Sequence, residues 1–202
     1  MTRTSAAWSV RLGRGTSMCP AIAKTTDEEV VAVARDLVER SGAEALSMQS
    51  VAEAIGVRAP SLYKRFPDRA GLLAAVERQA LEELARTLNR AARASSPTAK
   101  LRAMAHAYRR FARAHPRLYA LLYSGATVGD AEGTAARRRA AEPALNAFGA
   151  LVGPERALPA ARVLTAFLHG FVSMENAGEF RLGPGIDEAF RLGLESVITA
   201  YE

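Results

Sequence analysis

Residues 47–66, SMQSVAEAIGVRAPSLYKRF, contain two short helical patterns separated by a sharp bend. Apolar residues recur at helical spacing up to Gly56, and a glycine ends a helix readily because it tolerates a positive φ. Pro60 suits the first turn of a second helix, where no backbone N–H is needed. Tyr63, Lys64 and Arg65 then follow in a row. The stretch predicts two short helices that meet at a corner and carry a basic, aromatic tip.

This arrangement is typical of a helix-turn-helix, which places the end of one helix in the major groove of DNA. The apolar anchors of the two helices and of the corner are Val51, Ala52, Ile55, Val57, Leu62 and Phe66. The side chains predicted to face outward are Ser61, Tyr63, Lys64 and Arg65. Lysine and arginine pair with phosphate, and hydroxyl groups donate to phosphate oxygens or bases. The pattern therefore predicts contact with duplex DNA; the alternative is a helical hairpin whose basic face meets only water.

The placement of charge agrees with a phosphate-bearing partner. The chain has a net charge of +6 and a pI of about 10.0, and such an excess favours nucleic acid or an anionic membrane, although it can also serve solubility alone. Residues 56–70 hold four basic side chains and one acid. The charge is thus concentrated at the presumed tip. The basic run Arg109-Arg110, Arg113 and Arg117 is interpreted as a solvated face, with a brace between the domains as the alternative. Arg137 to Arg139 are interpreted as a solvated helix face.

Composition predicts an all-α protein. Hydrophobic residues make up 49% of the 202 residues, whereas aromatic residues make up only 6%, and the abundance of alanine, leucine, arginine and glutamate favours helices. Apolar spacing predicts about nine helices, the first opened by a capping box of Thr26 and Glu29. The expected organisation is a disordered basic arm over 1–24, a helix-turn-helix domain over 25–70 and a helical bundle over 71–202. Within the bundle, glycine-rich residues 125–134 predict a mobile loop before a helix from about Ala135.

Residues 45–73, ALSMQSVAEAIGVRAPSLYKRFPDRAGLL, closely resemble the DNA-binding domain of TetR/AcrR-type transcriptional regulators. The matching positions are Ser47, Val51-Ala52, Ile55-Gly56-Val57, Ser61-Leu62-Tyr63, Phe66-Pro67 and Leu72-Leu73. Two residues depart from the family pattern: Arg58 stands where a small capping residue is usual, and Arg65 stands where a histidine is usual. Both departures add positive charge. Near the C-terminus, FLHGFVSMENAGEF resembles a TetR subgroup with a Trp-His-Gly triplet, here Leu168-His169-Gly170.

The resemblance implies which residues touch operator DNA. Tyr63 and Lys64 are expected to hold phosphate, whereas Ala59 and Pro60 offer only apolar or backbone contacts. Together with the two added arginines, the predicted DNA-binding set is Gln49, Arg58, Ala59, Pro60, Ser61, Tyr63, Lys64, Arg65 and Arg69.

The resemblance also implies that the C-terminal bundle dimerises and encloses a small-molecule pocket. The predicted dimer residues are Leu164, Phe171, Phe190, Leu194 and Val197. The predicted pocket residues are Met104, Tyr108, Phe111, Leu122, Phe148, Phe167, His169 and Met174. For each of these residues the alternative is an ordinary place in the core.

No residue pattern indicates an enzyme, a metal site or a cofactor. The histidines His106, His115 and His169 lie in no metal-ligand spacing, and no glycine motif that cradles phosphate is present. Cys19 is the only cysteine, so no internal disulfide is possible, and no apolar run reaches the roughly 20 residues of a membrane span. We therefore expect a cytoplasmic, ligand-responsive repressor that binds a pseudo-palindromic operator as a homodimer, with no membrane partner. The alternative is a helical small-molecule-binding or interaction protein that does not regulate by DNA binding.

Overall fold

The computed structural model describes residues 25–125 and 130–202. Within these ranges the chain forms nine α-helices, one short 3-10 helix and no strand, as the sequence predicts. The helices are α1 (Asp27–Ser41), α2 (Met48–Ile55), α3 (Ala59–Tyr63), α4 (Arg69–Ala91), α5 (Pro97–Ala114), α6 (Pro116–Leu121), α7 (Ala131–Val152), α8 (Pro154–Asn176) and α9 (Ile186–Thr199), with the 3-10 turn (Ala43–Ala45) between α1 and α2. The basic arm predicted over 1–24 lies outside the described residues.

Side-chain caps fix the beginnings of the first two helices. The Thr26 hydroxyl accepts a hydrogen bond from the Glu29 amide at 3.2 Å, and the Glu29 carboxylate accepts one from the Thr26 amide at 2.9 Å. This is the predicted capping box, which satisfies backbone donors that a helix start leaves open. Ser47 and Ser50 make the same reciprocal pair at the start of α2. The three N-terminal helices close around Val30, Ala34, Val38, Val51 and Leu62, all at most 2% exposed.

Helix α4 joins the N-terminal helices to the rest of the protein. Asp68 caps it by accepting a hydrogen bond from the Gly71 amide at 2.7 Å, and its first turns bury Leu72 and Val76 against α1. Its 23 residues give a rod of about 34 Å, which continues into the C-terminal bundle. The helix therefore runs unbroken through the domain boundary predicted after residue 70.

The C-terminal bundle is built by α4, α5, α7, α8 and α9, with α7 packed between α4 and α8. One charged group is part of its core. Arg109 is 7% exposed, donates to the Glu175 carboxylate at 2.8 Å and 2.6 Å, and lies over the Phe190 ring at 4.6 Å. The interpretation of Arg109 as part of a solvated face is therefore wrong, because its charge is neutralised inside the protein by a carboxylate.

Helix α7 begins earlier than the sequence predicts. Asp130 caps it by accepting a hydrogen bond from the Glu132 amide at 3.0 Å, and Arg78 of α4 donates to the same carboxylate at 2.8 Å. This side-chain cap lets residues 131–134, predicted as loop, form the first turn of the helix. Pro143 lies inside α7 without ending it, and residues 126–129 lie outside the described part of the chain.

Gly193 permits close contact between α8 and α9. A Cβ atom at this position would lie 2.5 Å from Cε2 of Phe167, well inside van der Waals contact. We expect Gly193→Ala to lower the free energy of unfolding by about 1–3 kcal/mol, because the ring must move in a packed region. Urea denaturation at fixed protein concentration measures this effect. Gly149→Ala in α7, where the added Cβ meets nothing within 4 Å, is the control and should not destabilise; equal stability of both variants would contradict the expected clash.

Candidate DNA interface and internal cavity

The corner between α2 and α3 has the predicted geometry. Gly56 adopts a left-handed conformation with φ of 78°, and the Val57 amide donates back to the Ala52 carbonyl at 2.9 Å. Arg58 is extended, and Pro60 lies in the first turn of α3. Since Leu62 is only 2% exposed, the opposite side of α3 is turned away from the core.

The tip, defined here as residues 58–64, presents most of the predicted DNA-binding side chains to solvent. Tyr63 is 53% exposed although its ring is large and apolar. Ala59 is half-buried, and the fully outward residues besides Tyr63 are Arg58, Pro60, Ser61 and Lys64. The Arg58 side chain makes no capping hydrogen bond, and the Ser61 hydroxyl donates to the Arg58 carbonyl at 2.8 Å. The tip thus combines two cations, two hydroxyl groups and an exposed ring.

Two arginines of the predicted DNA-binding set make intramolecular bonds that hold the tip in place, instead of pointing into solvent with it. Arg65, expected to face outward, is half-buried, because its guanidinium donates to Asp27 of α1 at 2.9 Å. Arg69 donates from Nε to the Leu46 carbonyl at 2.8 Å and from Nη2 to the Ala43 carbonyl at 2.6 Å. Both side chains therefore connect α3 and the start of α4 to neighbouring elements.

Gln49 lies exposed on the first turn of α2, as predicted. Its side-chain amide donates to the Glu53 carboxylate at 2.7 Å. A contact of Gln49 with DNA would have to compete with this hydrogen bond, and it stays a prediction, as do the contacts of the other residues of the set.

A cavity of about 240 Å³ lies inside the C-terminal bundle between α4, α5, α7 and α8. Its walls are mostly aliphatic. The aliphatic lining residues are Leu81, Leu84, Leu88, Met104, Ala105, Leu122, Ala140, Ala141, Ala144, Ala161, Leu164 and Leu168. The polar lining residues are Tyr108, Tyr123, Arg137 and Thr165. Concave sites of this kind, apolar with a few converging polar groups, are typical of small-molecule binding.

Three of the predicted pocket residues, Met104, Tyr108 and Leu122, line this cavity. The others do not. Phe111 and Phe148 are buried elsewhere in the core, Phe167 packs on Phe190, and Met174 is 48% exposed on the outside. His169 is half-buried behind Tyr123, with ring centroids 3.7 Å apart. For the residues on α8 the reason is the rotation of the helix, which turns Leu164 and Leu168 toward the cavity and Met174 away from it.

Most of the predicted dimer residues are buried inside the protomer. Phe190 and Leu194 are fully buried, and Leu164 is 3% exposed and faces the cavity. They are core residues of the protomer, whereas Phe171 and Val197 are half-buried. The outward side of α8 instead carries an apolar stripe without a charge, here called the α8 stripe: Pro159, Val163, Ala166, Gly170 and Met174. The spacing of these residues, four, three, four and four, is a helical spacing and is the sequence signal that indicates this second apolar face. On α9, Leu192 is 53% exposed.

The α8 stripe also explains the hydropathy of its helix. In the described part of the chain, α8 is the one helix long and apolar enough to cross a membrane by length and composition, and 33% of its most apolar window is buried. A helix with one side in the core and an uncharged stripe on the other meets such a criterion without spanning a bilayer.

Three tyrosines and a histidine form a hydrogen-bonded chain beside the cavity. The Tyr108 hydroxyl bonds to those of Tyr123 and Tyr119, the latter at 2.9 Å, and the Tyr119 hydroxyl bonds to Nδ1 of His169 at 2.7 Å. Burial raises the pKa of Tyr108 and of Tyr119 and lowers the pKa of His169. The phenols of Tyr108 and Tyr119 therefore stay protonated near neutral pH, and the imidazole favours its neutral form.

An ion pair between a buried carboxylate and a half-buried arginine lies beside the same cavity. Glu77 of α4 is 0% exposed, and its carboxylate accepts a hydrogen bond from Nη2 of Arg137 on α7. Nη1 of Arg137 donates to the Leu122 carbonyl at 2.9 Å. Arg137 is interpreted from the sequence as part of a solvated face, but in the structure it is half-buried and its charge is paired with a buried carboxylate. The spacing of arginines on α7 does not reveal a partner on α4.

Helix α6 ties the bundle to the N-terminal helices. The Glu39 carboxylate near the end of α1 accepts a hydrogen bond from the Leu118 amide at 3.1 Å. Arg117 donates to the carbonyls of Glu39 and Arg40. Because Leu122 and Tyr123 follow α6 directly and line the cavity, a short path of bonded residues connects the cavity with α1.

Two family models match the chain. Residues 30–76 match the model for bacterial regulatory proteins of the tetR family, and residues 101–197 match the model described as the tetracyclin repressor-like C-terminal domain. An uncharacterised HTH-type transcriptional regulator of Mycobacterium tuberculosis is 32% identical over 178 residues, which cover 86% of this chain and 81% of that protein.

Solved structures share the fold. A protein of unknown function from Rhodococcus sp. RHA1 superposes with a TM-score of 0.79 at 26% identity, covering 91% of this chain and 98% of that one. A TetR variant from Acinetobacter baumannii AYE, solved in complex with minocycline, has a TM-score of 0.68 at 24% identity and covers 88% and 97% of the two chains. At this identity the second likeness concerns the fold alone.

Proposed function

The chain belongs to the tetR family of bacterial regulatory proteins, and we propose that it is a repressor that binds a pseudo-palindromic operator as a homodimer and leaves it when a small molecule enters the cavity. Membership of this family makes it a DNA-binding transcriptional regulator and not an enzyme. The observation that carries the proposal is the exposed, basic tip of α3 on a rigid corner. A cytoplasmic location follows for a protein that acts on the chromosome.

The tip supports DNA contact through its chemistry and its rigidity. Lys64 and Arg58 can neutralise phosphate charge, and the hydroxyl groups of Tyr63 and Ser61 can bond to phosphate oxygens. The ion pair of Arg65 and the backbone bonds of Arg69 hold α3 in place, so little order has to be gained when DNA binds. Contacts to phosphate position a protein, whereas contacts to base edges specify sequence; Arg58 is the side chain of the tip best suited to a guanine edge.

The α8 stripe supports a homodimer. The five residues of the stripe carry no charge and cover about 22 Å of helix, and exposed apolar stripes of this size usually mark an interaction surface. An interface related by two-fold symmetry brings the same patch of both copies together. Gly170 lies within the stripe and would let two α8 helices approach closely. Two copies would then offer two tips to successive major grooves.

The cavity supports release by a small molecule. Its walls include α4, whose first turn is held at the N-terminal domain, and the residues that follow α6, which is bonded to α1. A ligand that fits the cavity better in one arrangement of α4 and α6 would shift the spacing of the tips. It can do so only by the difference between its affinities for the two arrangements.

Selection of DNA from a random pool by the purified protein tests the proposed function. We expect an inverted repeat with half-site centres about one turn apart or slightly more, and binding that weakens steeply with salt. If no DNA sequence is enriched from the pool, the result would favour the alternative, a helical small-molecule-binding protein that does not regulate by DNA binding. A selected single half-site would contradict the homodimer.

A further inference from the structure

We propose that the cavity takes an uncharged, mainly aliphatic molecule with one oxygen-bearing head, such as an alcohol, a ketone or an ester. The head would lie between Tyr108 and Tyr123, and the chain would extend along α4 and α7 toward Leu88 and Ala144. This inference rests on the proposed function in so far as the ligand is the effector, but the chemistry of the cavity carries it independently.

Three of the four polar lining residues, Tyr108, Tyr123 and Arg137, lie together at one end of the lining. The lining residues on α4 run from Leu81 to Leu88 and those on α7 from Arg137 to Ala144, so each helix contributes about 10 Å of wall. At this polar end, Arg137 donates a hydrogen bond to the Leu122 carbonyl. Tyr123 is the next residue in the chain, and its hydroxyl is hydrogen-bonded to that of Tyr108. Toward the other end the walls are leucine, alanine and methionine side chains.

The walls of the cavity favour a ligand with a flexible aliphatic chain over a ligand with a flat ring system. No phenylalanine or tryptophan is among the described lining residues, and the two aromatic rings that line the cavity are the phenols at its polar end. The alanine side chains that α7 and α8 contribute are small, so the space between the helices is wide enough for a methylene chain. Met104 adapts to irregular apolar shapes because its side chain is unbranched and polarisable.

The charges beside the cavity favour an uncharged head. Among the described lining residues Arg137 is the one ionised group, and the carboxylate of Glu77 already balances it. A carboxylate on the ligand would compete with Glu77, which is 0% exposed, for the guanidinium of Arg137. An ammonium group would meet the arginine without a lining carboxylate to accept it. Because Glu77 is fully buried, weakening its pair with Arg137 should lower the affinity for a charged head at least tenfold.

The two phenols supply what a neutral oxygen needs. A hydroxyl group both donates and accepts, so Tyr108 and Tyr123 can bond a carbonyl or an alcohol as readily as they bond each other. Tyr123 is 43% exposed and stands with exposed Ala141 and Thr165 at the opening of the cavity. The head would therefore remain near the entrance while the chain becomes buried.

Three probes with the same chain and different heads test the inference: 1-octanol, octanoate and octylamine, titrated into the full-length protein at pH 7 by calorimetry. We expect 1-octanol to bind at least tenfold more tightly than either charged probe. Tighter binding of octanoate or octylamine would overturn the proposal, and so would the absence of heat and of any rise in melting temperature with 1-octanol.

Variants locate the site. Tyr108→Phe keeps the ring and removes the hydroxyl, so 1-octanol should bind roughly three- to tenfold more weakly, while Tyr201→Phe, outside the cavity, should bind it like the unaltered protein. Leu164→Trp should abolish binding by filling the space. Equal affinity in all variants would overturn the assigned site. Gel shifts with the selected operator separate the two proposals: selective 1-octanol binding without any operator binding leaves the ligand class intact and removes the regulator function.

Discussion

Lys64→Ala protein is expected to bind its operator about 10- to 100-fold more weakly while it folds and dimerises normally. The Lys64 side chain is exposed on the tip and makes no intramolecular hydrogen bond or ion pair among the described residues, so its removal costs the fold little. Each dimer loses two phosphate contacts, one at each half-site, and the losses add because the two sites are far apart. The loss should be similar for all DNA sequences, since phosphate carries no sequence information.

The salt dependence of binding distinguishes a lost phosphate contact from a damaged fold. The slope of log K against log salt should become shallower by about 2, since each lost contact contributes roughly 0.9. Arg93→Ala is the matched control: Arg93 is an exposed cation just beyond the far end of α4, about 35 Å along the helix from the tip. It removes the same charge and should leave both affinity and slope nearly unchanged. Equal slopes for Lys64→Ala and the unaltered protein would contradict a phosphate contact at the tip.

The local features of the fold could be predicted from the sequence because neighbouring residues decide them. Gly56 must adopt a positive φ at the corner, and Thr26 with Glu29 closes a capping box within one turn. Leu62 and Tyr63 are adjacent on α3, so burying the first exposes the second. The outward face of the tip follows from these contacts alone, which is why most of the predicted DNA-binding set lies where it was expected.

The features set by long-range packing could not be predicted in the same way. Helix α8 is apolar on two sides, and the spacing of its residues does not say which side faces the bundle. The sequence therefore predicts Leu164 in the interface and Met174 in the pocket, whereas Leu164 lines the cavity and Met174 is exposed on the outside. The surroundings of two arginines could not be predicted for a related reason. Arg109 and Arg137 find their carboxylate partners 66 and 60 residues away, and no local pattern reveals such pairs.

The second large effect is expected at the α8 stripe. Val163→Asp protein should be folded but monomeric at micromolar concentration, because two-fold symmetry would place the two new carboxylates in one apolar interface. Val163 is 49% exposed in the protomer, so an aspartate there meets water in the monomer and leaves the core intact. Circular dichroism should match the unaltered protein, and sedimentation equilibrium should give the protomer mass of about 21.6 kDa.

A variant that no longer dimerises should also bind the operator much more weakly. A monomer offers one tip, so the second half-site no longer binds at the high effective concentration that the linked tip provides, and affinity for the full operator should fall at least 100-fold. Met174→Asp, three turns further along the same stripe, should act alike. Ser95→Asp, which adds the same charge at an exposed position beyond α4, should leave mass and affinity unchanged. A dimer that persists in both stripe variants would place the interface elsewhere, whereas a monomer with full operator affinity would show that one tip suffices.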